Sequence, residues 1–370
     1  MSDSEELEIA RDYWRQIYER SSASPDATLV DREEVIKWVL EGKHEPIIEA
    51  YGLPDMAAAE LRERYINDLK GAPITSPGID PHAEYILDDL CKRIAAVCER
   101  IPGLNAKSVA IGIEPKLGVF ASRMGVITTD ASIITVGSQL FRFCNVVSKA
   151  IQQTLEIGPS GWDQVDGIET MRMKLRQRPD VLSYWLHVVL SFGLLGTSYG
   201  IPFRVPRAEG LGMRHEILES MEVFIVAHEF AHHFLKHGRM EVASTDSGTD
   251  SQARREEFQA DCVAIMLGQS LTGSQTHENF LILSGVGAVA SLRAFEMIDE
   301  TKKILGASPR VAMAHNTHPS AQDRLLYIDG QVALWPELSD QFRHFRRVYG
   351  NMMRIAWEEI LPIIEELRRR

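Results

Sequence analysis

Val226-Ala227-His228-Glu229-Phe230-Ala231-His232-His233-Phe234-Leu235 is the stretch that decides how this chain is read, because it contains the pattern HExxH. On a helix, positions four apart lie one above the other on the same face. His228 and His232 therefore point the same way, with Glu229 beside them. Two imidazoles so placed can hold one zinc ion from a single side, and the adjacent carboxylate can act as base toward a water. The flanks agree with a helix. Ile217, Leu218, Met221, Phe224, Ile225 and Leu235 recur at helical spacing, and Gly238 stands where a helix would stop. Val223 to Ala227 is apolar all round, which predicts a central, buried helix. Two imidazoles and a carboxylate in such a place need a partner that offsets their desolvation.

A third ligand is sought downstream, in Glu256-Glu257-Phe258-Gln259-Ala260-Asp261. Glu257 and Asp261 are four apart, so they share a helical face, and stacked carboxylates repel unless a cation compensates. Zinc supplies a reason for the pair. Glu257 would be the third ligand, and Asp261 would accept the N–H of a zinc-bound histidine and fix its ring. The alternative is a solvated acidic face with Arg254 and Arg255 as neighbours.

HExxH followed by ExxxD is the pattern of the gluzincin peptidases. The wording Glu257-Phe258-Gln259-Ala260-Asp261 most resembles the HtpX-type heat-shock proteases and CAAX prenyl proteases. Asn316-Thr317-His318-Pro319-Ser320, with Arg324 beyond, is similar to a further segment of that family in the same order. The resemblance implies a zincin-like metalloendopeptidase in which His318 stabilises the oxyanion. The segment from Phe120 to Ile127 is similar to the family's edge strand, which implies that a protein or peptide substrate lies extended along it, against Val119, Phe120 and Ala121. The chain departs from the family in three ways. Gly118-Val119-Phe120-Ala121 lacks the family's asparagine, a long insertion separates this strand from the HExxH helix, and the membrane helices of many members are missing. ImmA-like and Lit-like metallopeptidases, which cleave repressors or exclude phage, also place a buried HExxH in soluble chains and fit the same residues. A rival of another class is a zinc-stabilised interaction or regulatory module in which cleavage is lost or gated.

Composition narrows the setting. At 370 residues, with 45% hydrophobic and 25% charged side chains, the chain is of ordinary globular type. A net charge of -12 argues against sequence-independent binding to nucleic acid, which needs a basic surface. Cys91, Cys98, Cys144 and Cys262 have no metal-binding or disulfide spacing, and the acidic N-terminus has no apolar run, so a cytoplasmic location is expected. Val181 to Phe203 is long and apolar, but its serines, threonines, glycines and Pro202 dilute it. A buried helix ending near Gly196 is the better reading, with no stable membrane span. Nothing in the sequence sets an oligomeric state.

The rest of the chain gives a mostly helical α+β fold. Residues 1–105 read as helices, with Trp14 on one apolar face and Asp31 as the N-cap of another helix. Ser108 to Val136 holds short β-branched runs, a small sheet of three or four strands. Residues 106–330 are then a zincin-like domain with a helical insertion near 152–214, and 331–370 are C-terminal helices. Asn279 to Leu305 is one long helix or a pair. The insertion, or the Ser244–Ser251 loop, is expected to cover part of the cleft and restrict the range of substrates.

Overall fold

A computed structural model describes residues 1–24, 27, 29–43, 45, 49, 55–71, 78–156, 165–204, 210–237, 249–272, 279–306, 319–332 and 339–369. The fold is α+β and mostly helical. Among the described residues four helices come first: α1 (Asp3–Ser22), α2 (Arg32–Leu40), α3 (Asp55–Gly71) and α4 (Pro81–Cys98). Then follow β1 (Val109–Glu114), β2 (Ala121–Gly125), β3 (Ser132–Gly137) and α5 (Leu140–Leu155). Helices α6 (Val165–Arg176) and α7 (Pro179–Leu190) lead through a π-helical turn at Ser191–Leu195 to α8 (Leu211–Phe234), which carries HExxH. Helices α9 (Thr249–Thr272), α10 (Phe280–Ser284), α11 (Val286–Leu305), α12 (Ala321–Val332) and α13 (Ser339–Arg369) complete the described chain.

Local chemistry accounts for several boundaries. Ser2 and Glu5 form a capping box at the start of α1, whose buried Ala10, Trp14 and Tyr18 mark its inner face. Asp31 accepts the N–H groups of Glu33 and Glu34, as its position before α2 predicts. The apolar run beginning at Val181 forms α7, with Val181, Tyr184, Trp185, Val188 and Val189 buried. Trp185 donates to Thr154 Oγ1 at 2.9 Å, and Gly196 ends the π-turn with φ 67°. No helix among the described residues is long and apolar enough to cross a membrane. Asn279 to Leu305 is a pair of helices, broken at Gly285, where φ is 75°.

Among the described residues the sheet has three strands in the order β1-β3-β2, with β1 parallel and β2 antiparallel to β3. Every residue of β3 is buried, as a central strand covered on both faces must be, whereas β2 alternates partly buried and exposed positions. Among the described strands β2 is an edge, and it packs beside α8.

Helix α8 is the centre of the molecule. It contacts α4, α5, α9, α10, α11 and β2, and its residues from Ser220 to Ala231 are all buried. That follows from the all-round apolar run, since a helix without a polar face has to be enclosed. The approach of α11 is closest at Gly287, where an added Cβ would lie 2.0 Å from the Ser220 carbonyl oxygen. Only glycine lets the two backbones meet there.

One buried carboxyl on α8 gives the fold a pH dependence. Burial, then the nearby Glu219 charge, pushes Glu222 up to about 8, against the weaker opposing pull of Arg214 and Arg93. Between the ordinary carboxylate pKa and about 8, the unfolded chain ionises at this position while the folded chain holds its proton. The folded state then binds more protons, so stability falls as pH rises through that window and levels off above it. Glu222→Gln removes this slope. Melting temperatures measured from pH 5 to 9 should show the variant gaining on the parent up to about pH 8, and parallel curves would show that Glu222 ionises normally.

Candidate metal centre

The HExxH turn of α8 and the ExxxD turn of α9 face each other, and the sequence-predicted ligands come together. His228 Nε2 and His232 Nε2 are 3.0 Å apart, and each lies 3.4 Å from a carboxylate oxygen of Glu257. One ligand atom from each residue falls within 4.8 Å of the others, so the trio can hold a metal ion. Glu229 is buried beside them at 7% exposure. Asp261 is fully buried and sits 3.0 Å from His228 Nδ1.

The proton arithmetic of the two rings favours a cation between them. A carboxylate only accepts, so His228 Nδ1 donates to Asp261 and its Nε2 is left as a lone pair in the neutral ring. His232 Nδ1 is engaged by His237 Nδ1 at 3.0 Å. Two ring nitrogens and a carboxylate thus converge, and they need either a shared proton or a metal ion. Without the ion the proton resides on His228. Burial opposes its charge, but hydrogen bonds to Asp261 and Glu257 outweigh that and raise its pKa to about 10. His232 is shifted the other way, chiefly by burial and then by the neighbouring His228.

Arg324 completes the charge balance. Its guanidinium forks onto Asp261 through Nε at 2.7 Å and Nη2 at 2.5 Å, and Nη1 lies 3.4 Å from Glu257. Burial opposes ionisation of Asp261, yet Arg324 holds its pKa below the ordinary value. Three buried carboxylates, Glu229, Glu257 and Asp261, face one guanidinium. With neutral imidazoles two negative charges remain, which matches a divalent cation. Two nitrogens and a carboxylate oxygen also form a donor set suited to zinc.

Arg324 is held by α12, which begins where the Pro319-Ser320 part of the downstream segment ends. Ser320 Oγ accepts from Asp323 N at 3.1 Å, and Tyr327 stacks on Phe258 of α9 with ring centroids 4.8 Å apart. The sequence singled out Arg324 only by resemblance; its pairing with Asp261 joins residues far apart in the chain. His318, expected at the oxyanion, lies outside the described residues, as do Gly238 and residues 244–248 of the expected mobile loop.

Two other histidines matter more than their positions in the sequence suggest. His233 faces away from the ligands, as its rotation of about 100° from His232 requires. It pins α8 to the sheet, with Nδ1 2.8 Å from Ser132 Oγ and Nε2 2.8 Å from the Asn105 carbonyl oxygen. His237 lies near the helix C-terminus, where a cation is favoured. It is nevertheless buried and leans on His232, and burial followed by that neighbour lowers its pKa. The reversal at the helix end falls on Lys236, with φ 55°, before Gly238 is reached.

Strand β2 stands next to this centre. Phe120 O accepts from Gly137 N at 2.9 Å and Ala121 pairs with Val136, so alternation turns the backbone groups of Ala121 and Arg123 to the outer edge. Arg123 Nε donates to Ser132 Oγ at 2.7 Å and Nη1 to the His237 carbonyl oxygen at 2.5 Å, tying the strand to the end of α8. Val119 and Phe120 lie just before the strand and are partly buried.

Comparison with known proteins bears on this same part of the chain. Residues 217–337 match the family model described as Peptidase U49. The matched segment is less than half of the chain, and it spans HExxH, Glu257, Asp261 and Arg324. The match supports a peptidase and does not carry the HtpX-type assignment, which stays a resemblance. No curated protein and no solved structure matches the chain.

Proposed function

We propose that the protein is a zinc-dependent metalloendopeptidase with a restricted range of protein substrates. The observation that carries this reading is the convergence of His228, His232 and Glu257 beside the buried Glu229, inside a segment matched by a peptidase family. His228, His232 and Glu257 hold the ion. When bound, zinc supplies Lewis acidity toward water and the scissile carbonyl. Glu229 takes the proton of the attacking water and delivers it to the leaving amine. Asp261 keeps His228 in the tautomer that presents Nε2, and Arg324 keeps Asp261 ionised while lying beside Glu257. The substrate adds as a strand along the outer edge of β2, near Val119, Phe120 and Ala121, with main-chain hydrogen bonds setting its register. His318 approaches the carbonyl oxygen as a second electrophile.

Removal of the metal tests this. A denatured proteome is incubated with the protein as purified, after chelation, and after zinc is restored, and new N-termini are sequenced. Cleavage lost on chelation and regained with zinc is the expected result. A protein that holds zinc and produces no new N-termini is instead a zinc-stabilised interaction module.

A further inference from the structure

The end of α8 forms a turn that folds back onto a metal ligand. The N–H of Lys236 bonds to the His233 carbonyl and that of His237 to the His232 carbonyl, both at 3.1 Å, and Lys236 takes a left-handed conformation. This is a Schellman closure, and its effect is to bring residue 237 back alongside residue 232. His237 is buried there, with Nδ1 3.0 Å from His232 Nδ1 and Nε2 3.3 Å from Gln259 Oε1. Arg123 fixes the same residue from the strand side through its carbonyl oxygen.

Two ring nitrogens facing each other bond only when one carries a proton and the other does not. If His237 donated, the neutral His232 would carry its proton on Nε2, the atom that has to ligate. If His237 accepts, His232 donates from Nδ1 and Nε2 is a lone pair. A neutral His237 that accepts at Nδ1 has its proton on Nε2, where Gln259 Oε1 stands to receive it. Only this polarity agrees with His232 as a ligand.

We propose that His237, supported by Gln259, is a positioning residue that locks His232 in the metal-binding tautomer. This inference rests on the metallopeptidase reading. It gives the two ligand histidines different supports. His228 is oriented by a carboxylate and His232 by a neutral imidazole, so no fourth negative charge enters a centre that already holds three carboxylates. Gln259 lies on the exposed side of α9, where water can stand in for it, so His237 carries more of the effect than Gln259.

Long-range proton–nitrogen spectra of the metal-free, full-length protein labelled on histidine read the tautomer directly. His232 protonated on Nδ1, with a shift toward the Nε2–H form in His237→Phe, is the expected result. Zinc affinity, measured by competition with a chelator, should fall about 10- to 100-fold in His237→Phe. It should stay within a few-fold of the parent in His237→Asn, whose side-chain oxygen can replace Nδ1 as acceptor, and in Gln259→Glu. His232 protonated on Nε2 in the unmodified protein, or unchanged affinity in His237→Phe, overturns the proposal. If the unmodified protein takes up no zinc but His232 still donates from Nδ1, the metal reading fails and the hydrogen-bond chain stands.

Discussion

Glu229→Gln is expected to lower kcat by roughly 10²- to 10⁴-fold, the range for loss of a general base, while metal content stays at the parent level. Glu229 sits one residue after His228, buried, and it is not one of the three groups whose atoms converge. Glutamine keeps the size and hydrogen-bonding reach of the side chain and removes only its capacity to take a proton. The loss should fall on kcat with little change in KM, because the interaction is made as water attacks and not when substrate docks. Steady-state kinetics on a peptide containing an identified cleavage site, with metal analysis of the same sample, gives the answer. A variant that loses its zinc along with its activity would place Glu229 among the ligands and remove the base from the mechanism.

Arg324→Met is expected to destabilise the fold by about 3–5 kcal/mol, the range for removing one partner from a buried ion pair. Arg324 is 9% exposed, and its guanidinium forks onto the fully buried Asp261 while also reaching Glu257. Its loss leaves charge uncompensated in the interior, and methionine fills the volume without replacing that charge. Arg324→Lys should fall between, since an ammonium restores the charge but cannot make the two parallel bonds. Denaturant melts of the metal-free proteins separate the three. A methionine variant as stable as the parent would mean that Asp261 and Glu257 are balanced by some other group.

The parts of the site legible in the sequence were those written in local spacing. His228, His232, Glu257 and Asp261 each announce themselves through a partner four residues away on the same helix, and the all-apolar run before them predicts the burial of α8. The small sheet was legible from its β-branched runs between Ser108 and Val136. Arg123 sits within β2 and sends its side chain to α8. What spacing does not encode is contact between distant segments. Arg324 meets Asp261 where α12 packs on α9, with Phe258 stacked on Tyr327. His237 was hidden for a subtler reason: its nearness to His232 depends on Lys236 adopting a left-handed conformation that non-glycine residues rarely take.

The central claim is that Glu257 completes a zinc site begun by HExxH, and metal analysis of three purified proteins tests it most directly. The unmodified chain and Glu256→Ala should each carry about one zinc per chain, whereas Glu257→Ala should lose most of it. Glu256 is the right control because it adjoins Glu257 but accepts from Gln252 and is not one of the three groups that converge. Equal zinc retention by the two variants, or no zinc in the unmodified protein, would contradict the account.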